Sequence, residues 1–176
     1  MVRVLYFIPL LALSGSLKSQ ALSNARIAVT ADAATGSVSY RFASGQSIRD
    51  AYVYVEDVHA GYLSSKDCSR HSVRIDGHVL TFTHEGNPQH IRLVQHITLF
   101  DRYVLVDVEA EGPDGLETRN ISPLAGIARV PATERRLLDV PFDNDDWVHI
   151  LEQQAPAKGM SYELTAVYDN ANFSGL

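Results

Sequence analysis

The chain has 176 residues and a formal net charge of −6; 45% of its residues are hydrophobic, 20% are charged, and one is cysteine. That balance is globular rather than disordered, and the acidic charge argues against a nucleic-acid partner, which would need a basic face. A single cysteine excludes an internal disulfide, so Cys68 reads as a partly buried thiol with no activating motif beside it.

Residues 1–21 order a basic residue, an apolar run and small residues: Arg3, then Val4 to Leu13, then Ser14, Gly15 and Ser16. This is the order of a secretory signal peptide, and the run is too short for a spanning helix of roughly 20 residues. Cleavage is expected near Ser14, Ser16 or Ala21. A buried N-terminal strand is the weaker reading, because residues 17–20 (Leu-Lys-Ser-Gln) break the apolar pattern at once. The mature chain, residues 22–176, is long enough for one core of ordinary domain size. It is expected to be secreted or periplasmic, with no membrane span after signal cleavage.

The mature chain reads as β throughout. Residues 38–42, 51–55 and 79–83 are rich in valine, tyrosine, phenylalanine and threonine, the strand formers. Residues 90–100 read as a longer strand, bent or bulged. Residues 103–110 set Val104, Val106, Val108 and Ala110 on one face and Asp107 and Glu109 on the other, the period of two that marks a half-buried strand. Residues 161–168 partly alternate in the same way.

Turn signals separate these runs at Thr35-Gly36, Ser44-Gly45, Asp76-Gly77, Glu85 to Pro88 and Gly112 to Gly115. Asp76-Gly77 predicts a tight hairpin, since such a turn needs positive φ. Residues 132–138 predict one short helical turn or an irregular crossing. Strands and turns at this spacing predict one all-β domain, an antiparallel β-sandwich or barrel.

Catalytic constellations are scarce. The histidines at 59, 71, 78, 84, 90, 96 and 149 form no spaced metal motif, and His96, on the face of Val94 and Thr98, reads as a satisfied strand histidine. There is no G-x-S-x-G elbow and no glycine-rich phosphate loop. The sequons Asn120-Ile121-Ser122 and Asn172-Phe173-Ser174 would matter only in a eukaryotic secretory pathway.

The densest polar segment is Asp143-Asn144-Asp145-Asp146, between Pro141-Phe142 and Trp147, the one tryptophan. Adjacent acidic and amide side chains disfavour regular structure and predict a loop. One reading is an Asx-rich turn with Phe142 and Trp147 anchored in the core. The other is a sugar-facing surface, in which the indole covers apolar C–H groups and the carboxylates accept hydroxyl hydrogens. The oxygens would suit calcium, but the glycine and distal glutamate of an EF-hand loop are missing, so no cofactor is expected.

Residues 140–148 (Val-Pro-Phe-Asp-Asn-Asp-Asp-Trp-Val) together with 162–170 (Tyr-Glu-Leu-Thr-Ala-Val-Tyr-Asp-Asn) resemble the N-terminal region of bacterial α-galactosidase-like glycoside hydrolases, the α-galactosidase and raffinose synthase group; Ile121-Ser122-Pro123-Leu124 fits the same register. The resemblance implies a galactose-mutarotase-like β-supersandwich, preceding a (β/α) barrel that carries the catalytic carboxylates. A barrel of about 250 residues does not fit after residue 176, so the resemblance implies a truncated N-terminal piece with no catalytic residue of its own. Asp143, Asp145 and Asp146 are too close in sequence to oppose one another across a scissile bond.

On that resemblance the chain is the non-catalytic accessory sandwich of an exported glycoside hydrolase. Its partners would be carbohydrate and the parent's barrel domain, with Asp143, Asn144, Asp145, Asp146 and Trp147 shaping the sugar pocket. The alternatives are a free-standing carbohydrate-binding module, with Trp147 and tyrosines such as Tyr52, Tyr54 or Tyr62 as a stacking platform, and a structural envelope domain. A module should show exposed aromatics, and an accessory domain a bare apolar face.

Overall fold

The computed structural model describes residues 19–113 and 115–131, and beyond them four strands at 136–140, 149–151, 164–168 and 173–175. The strands are β1 (Ser19–Ser23), β2 (Ile27–Asp32), β3 (Ser37–Phe42), β4 (Ser47–Asp57), β5 (Gly61–Ser64), β6 (Arg70–Asp76) and β7 (Val79–Glu85). They continue with β8 (Arg92–Leu99), β9 (Val104–Glu111), β10 (Thr118–Arg129), β11 (Arg136–Val140), β12 (His149–Leu151), β13 (Leu164–Tyr168) and β14 (Phe173–Gly175). A single 3₁₀ turn, Ser65–Asp67, is the only helical element among the described residues, and no helix there is long and apolar enough to cross a membrane.

Every pairing is antiparallel. One sheet runs β1-β2-β3-β4-β10, with β5 also paired to β4; a second runs β6-β7-β8-β9; a third runs β12-β11-β13-β14. The first two pack face to face because each alternates apolar and polar residues, and burying the apolar faces together is the only way to dry both. Ile27, Val29, Val38, Ile48 and Ala51 from the first meet Leu80, Phe82, Ile97 and Leu99 from the second. A second cluster joins Val53, Val55 and Leu63 to Ile91 and Leu93. Fully buried Phe82, Leu80, Leu93 and Ile97 each contribute about 1.5–3 kcal/mol. Gln95, 1% exposed, spans the two sheets by donating to the Pro123 carbonyl at 3.1 Å.

The all-β antiparallel sandwich is the expected class, and β9 alternates as its sequence dictates, with Val104, Val106, Val108 and Ala110 against the core. Three local expectations change. The 90–100 strand is not bulged: β8 keeps unbroken register with both neighbours, and the irregularity sits ahead of it at His90, whose φ is +55. In the β6–β7 hairpin Asp76 is still paired, with Val79, so Gly77-His78 forms the turn; only Gly77 has positive φ, the pattern of a type II′ turn. Arg136, Leu137 and Leu138, read as a helical turn or crossing, open β11 instead, because pairing with both β12 and β13 outweighs the weak helical pattern. At the N-terminus β1 runs across the expected leader boundary at residue 21: Ser19 and Gln20 pair with Asp32 and Ala31.

Candidate carbohydrate-facing surface

Asp143, Asn144, Asp145, Asp146 and Trp147 lie outside the described residues. The tyrosines named beside them do not. Along β4 the side chains of Val53 and Val55 enter the core, so Tyr52, Tyr54 and Glu56 necessarily take the outer face. Antiparallel register then brings Tyr62 of β5 opposite Glu56, and Asn120 and Ser122 of β10 opposite Glu56 and Tyr54. The result is one surface spanning β10, β4 and β5, with aromatic rings at its centre and a carboxylate and an amide beside them.

Tyr54 and Tyr62 meet edge to face, with centroids 6.1 Å apart and planes at 62°. Tyr54 is half-buried, which fixes its ring, whereas Tyr62 is 67% exposed. Tyr52 is different. The Lys66 ammonium sits 4.5 Å from its ring centroid and also contacts Asp50 at 2.7 Å, so one face of this ring is taken by a cation. Asp50 reaches Lys66 from the irregular stretch of β4, where its φ is +54 and the pairing with β3 shifts register. On the other side Arg119 lies 3.6 Å from Glu56, whose side chain is only 19% exposed.

Two other polar sites lie away from this face. A shallow depression of about 460 Å³ is lined by Ser69, Arg70, Glu85, Asn87, His90 and Arg92. Its charges satisfy one another in a ladder: Arg70 is 3.7 Å from Glu85, Arg92 is 3.2 Å from Glu85, and Arg92 is 2.6 Å from Glu111. Asn87 beneath it is spent on structure, clamping both the amide and the carbonyl of Ile91 and donating to Cys68 Sγ at 3.4 Å. Burial pushes the Cys68 thiol up, away from the reactive thiolate.

The second is the pair His71 and His84, in contact inside the sandwich beside Phe82. No group of three or more histidine, cysteine, aspartate or glutamate side chains is gathered for a metal among the described residues. His96 contacts Thr81 Oγ1 at 3.3 Å and lies 3.7 Å from Glu109, the satisfied strand position its sequence predicts. Comparison with known protein families, with characterised proteins and with solved structures finds no match.

Proposed function

We propose that this chain is a carbohydrate-binding β-sandwich that contacts sugar through the outer face of β4 and β5 and contributes binding rather than bond cleavage. The observation that carries the reading is the Tyr54–Tyr62 pair, one ring half-buried on the outer face of β4 and the other exposed, with Glu56 and Asn120 in adjoining positions. An aromatic face covers the apolar C–H side of a sugar, while a carboxylate and an amide exchange hydrogen bonds with its hydroxyls. Export, with removal of an N-terminal leader, fits a protein that meets polysaccharide outside the cell. The test is affinity electrophoresis of the whole chain through gels containing soluble polysaccharides. Retardation that Tyr62→Ala abolishes supports the proposal; unretarded migration in every glycan refutes it.

The second reading is the accessory sandwich of an α-galactosidase-like hydrolase, braced against a catalytic barrel. It is favoured by bare apolar side chains on two strands that each end a sheet: Leu105 on β9 is 46% exposed and Ile127 on β10 is 56% exposed. The Asp143–Trp147 segment would then face the barrel. Supplying the barrel as a separate chain and finding neither complex formation nor a gain in glycosidase activity would remove this reading.

A further inference from the structure

We infer that the ligand of the tyrosine face is a neutral, solvated glycan chain whose successive sugar rings are turned relative to one another, and not a flat crystalline polysaccharide or a polyanionic one. The inference rests on the carbohydrate-binding reading above and narrows it by geometry and charge.

Geometry excludes the flat surface. A crystalline polysaccharide presents coplanar sugar rings, and a protein face that lies on it needs aromatic planes parallel to one another. Tyr54 and Tyr62 stand at 62°, and Tyr54 is half-buried on the outer face of β4, between β5 and β10, which restricts its ring. The third tyrosine does not extend a plane, because Lys66 lies over its ring. Two rings so disposed suit a chain that stacks one sugar on Tyr62 and rotates before passing Tyr54.

Charge excludes the polyanion. Lys66 and Arg119, which flank the tyrosines, are already matched, Lys66 by Asp50 at 2.7 Å and Arg119 by Glu56 at 3.6 Å. A uronate or sulfate would have to displace one of these carboxylates and approach a chain of net charge −6. Neutral hydroxyls need no such displacement. They can donate to Glu56 and bond to Asn120 while both ion pairs stay in place.

The experiment measures binding of the full chain and of Tyr62→Ala to three probes: a soluble neutral polysaccharide panel by calorimetry, a soluble polyuronate by calorimetry, and microcrystalline cellulose by sedimentation. The expected result is binding to at least one soluble neutral glycan, weakened about tenfold by Tyr62→Ala, the factor that corresponds to 1.4 kcal/mol. Circular dichroism of the variant checks that the sheet is intact. Binding confined to the crystalline probe or to the polyuronate would overturn this inference while leaving carbohydrate binding standing. Binding to none of the three would overturn the carbohydrate reading itself.

Discussion

His71 and His84, opposite one another on β6 and β7, face each other through their Nδ1 atoms at 3.0 Å. One proton serves that contact, so one ring donates and the other accepts. His84 is fully buried, and its Nε2 has no protein partner. Charging His71 places a proton on its Nδ1, which leaves neutral His84 to carry its own proton on Nε2; charging His84 protonates Nε2 directly. Either way an unpartnered N–H is stranded in the core, which costs free energy.

Acid should therefore loosen the fold in a defined window. Burial, and then the neighbouring His71, push the His84 pKa down to about 3, and burial also lowers His71 against the opposing pull of the Cys68 backbone and Asp32. The unfolded chain takes up protons first, near the ordinary histidine value of about 6.5. Stability is thus intact above that pH and is lost as pH falls towards 3, at up to about 1.4 kcal/mol per pH unit for one such group. Urea midpoints at pH 7, 6 and 5 should decline for the parent chain and decline less for His84→Leu. Parallel declines would show that the pair does not govern the acid response.

Asp57 works in a lower window. Its Oδ1 accepts from the His59 and Ala60 amides at 2.9 and 2.6 Å and its Oδ2 from the Glu117 amide at 3.2 Å, tying the β4–β5 loop to the start of β10. The Ala60 amide, then those of His59 and Glu117, hold its carboxyl below the usual carboxylate range, against the opposing effect of burial. That contribution is present above the unfolded value of about 3.9 and lost as pH falls through the folded one. Asp57→Asn should lower Tm at pH 7 clearly more than Asp76→Asn, whose carboxylate is 81% exposed. Equal shifts in thermal scanning would count against the tie.

Glycines 36 and 61 separate conformational from steric cost. Both have positive φ, +66 and +79, which an L side chain adopts at a cost of about 1–2 kcal/mol. A Cβ at Gly61 meets nothing within 4 Å, whereas one at Gly36 would lie 2.6 Å from His71 Cε1 and 2.9 Å from the Ser65 carbonyl oxygen. Gly36→Ala should therefore destabilise more than Gly61→Ala by chemical denaturation. A smaller effect at position 36 would mean that the packing of His71 on this turn is not tight.

The N-terminal strand β1 ties the start of the described chain into the sandwich. Gln20 donates to the Val73 carbonyl at 3.2 Å, linking the two sheets, and Leu22 packs on the core. A chain starting at Ser19 should melt higher than one starting at Leu22, which has lost three of the β1 pairings, those of Ser19, Gln20 and Ala21. Identical melting temperatures would make β1 dispensable.

The strands that announced themselves were those with one dry face: residues 103–110 alternate cleanly because β9 buries one side and exposes the other. β10 carries no clean period because Asn120, Pro123 and Gly126 interrupt it, and its register with β4 shifts three times to absorb them. β1 was masked by abutting an apolar leader-like run. Tyr52, Tyr54 and Tyr62 were legible as aromatics, but nothing local says that Tyr62 arrives beside Tyr54 through β5, or that Lys66 takes one face of Tyr52. Those placements are set by pairing between strands distant in sequence, which a single-sequence period does not encode.

The most direct test of the account is an aromatic NMR titration of the whole chain, labelled at tyrosine, with a soluble neutral glycan. The account predicts shifts at Tyr54 and Tyr62, with Tyr103, exposed beside Phe100 on the β8–β9 turn, unchanged as the internal control. Shifts at Tyr103 with none at Tyr54 and Tyr62 would contradict it.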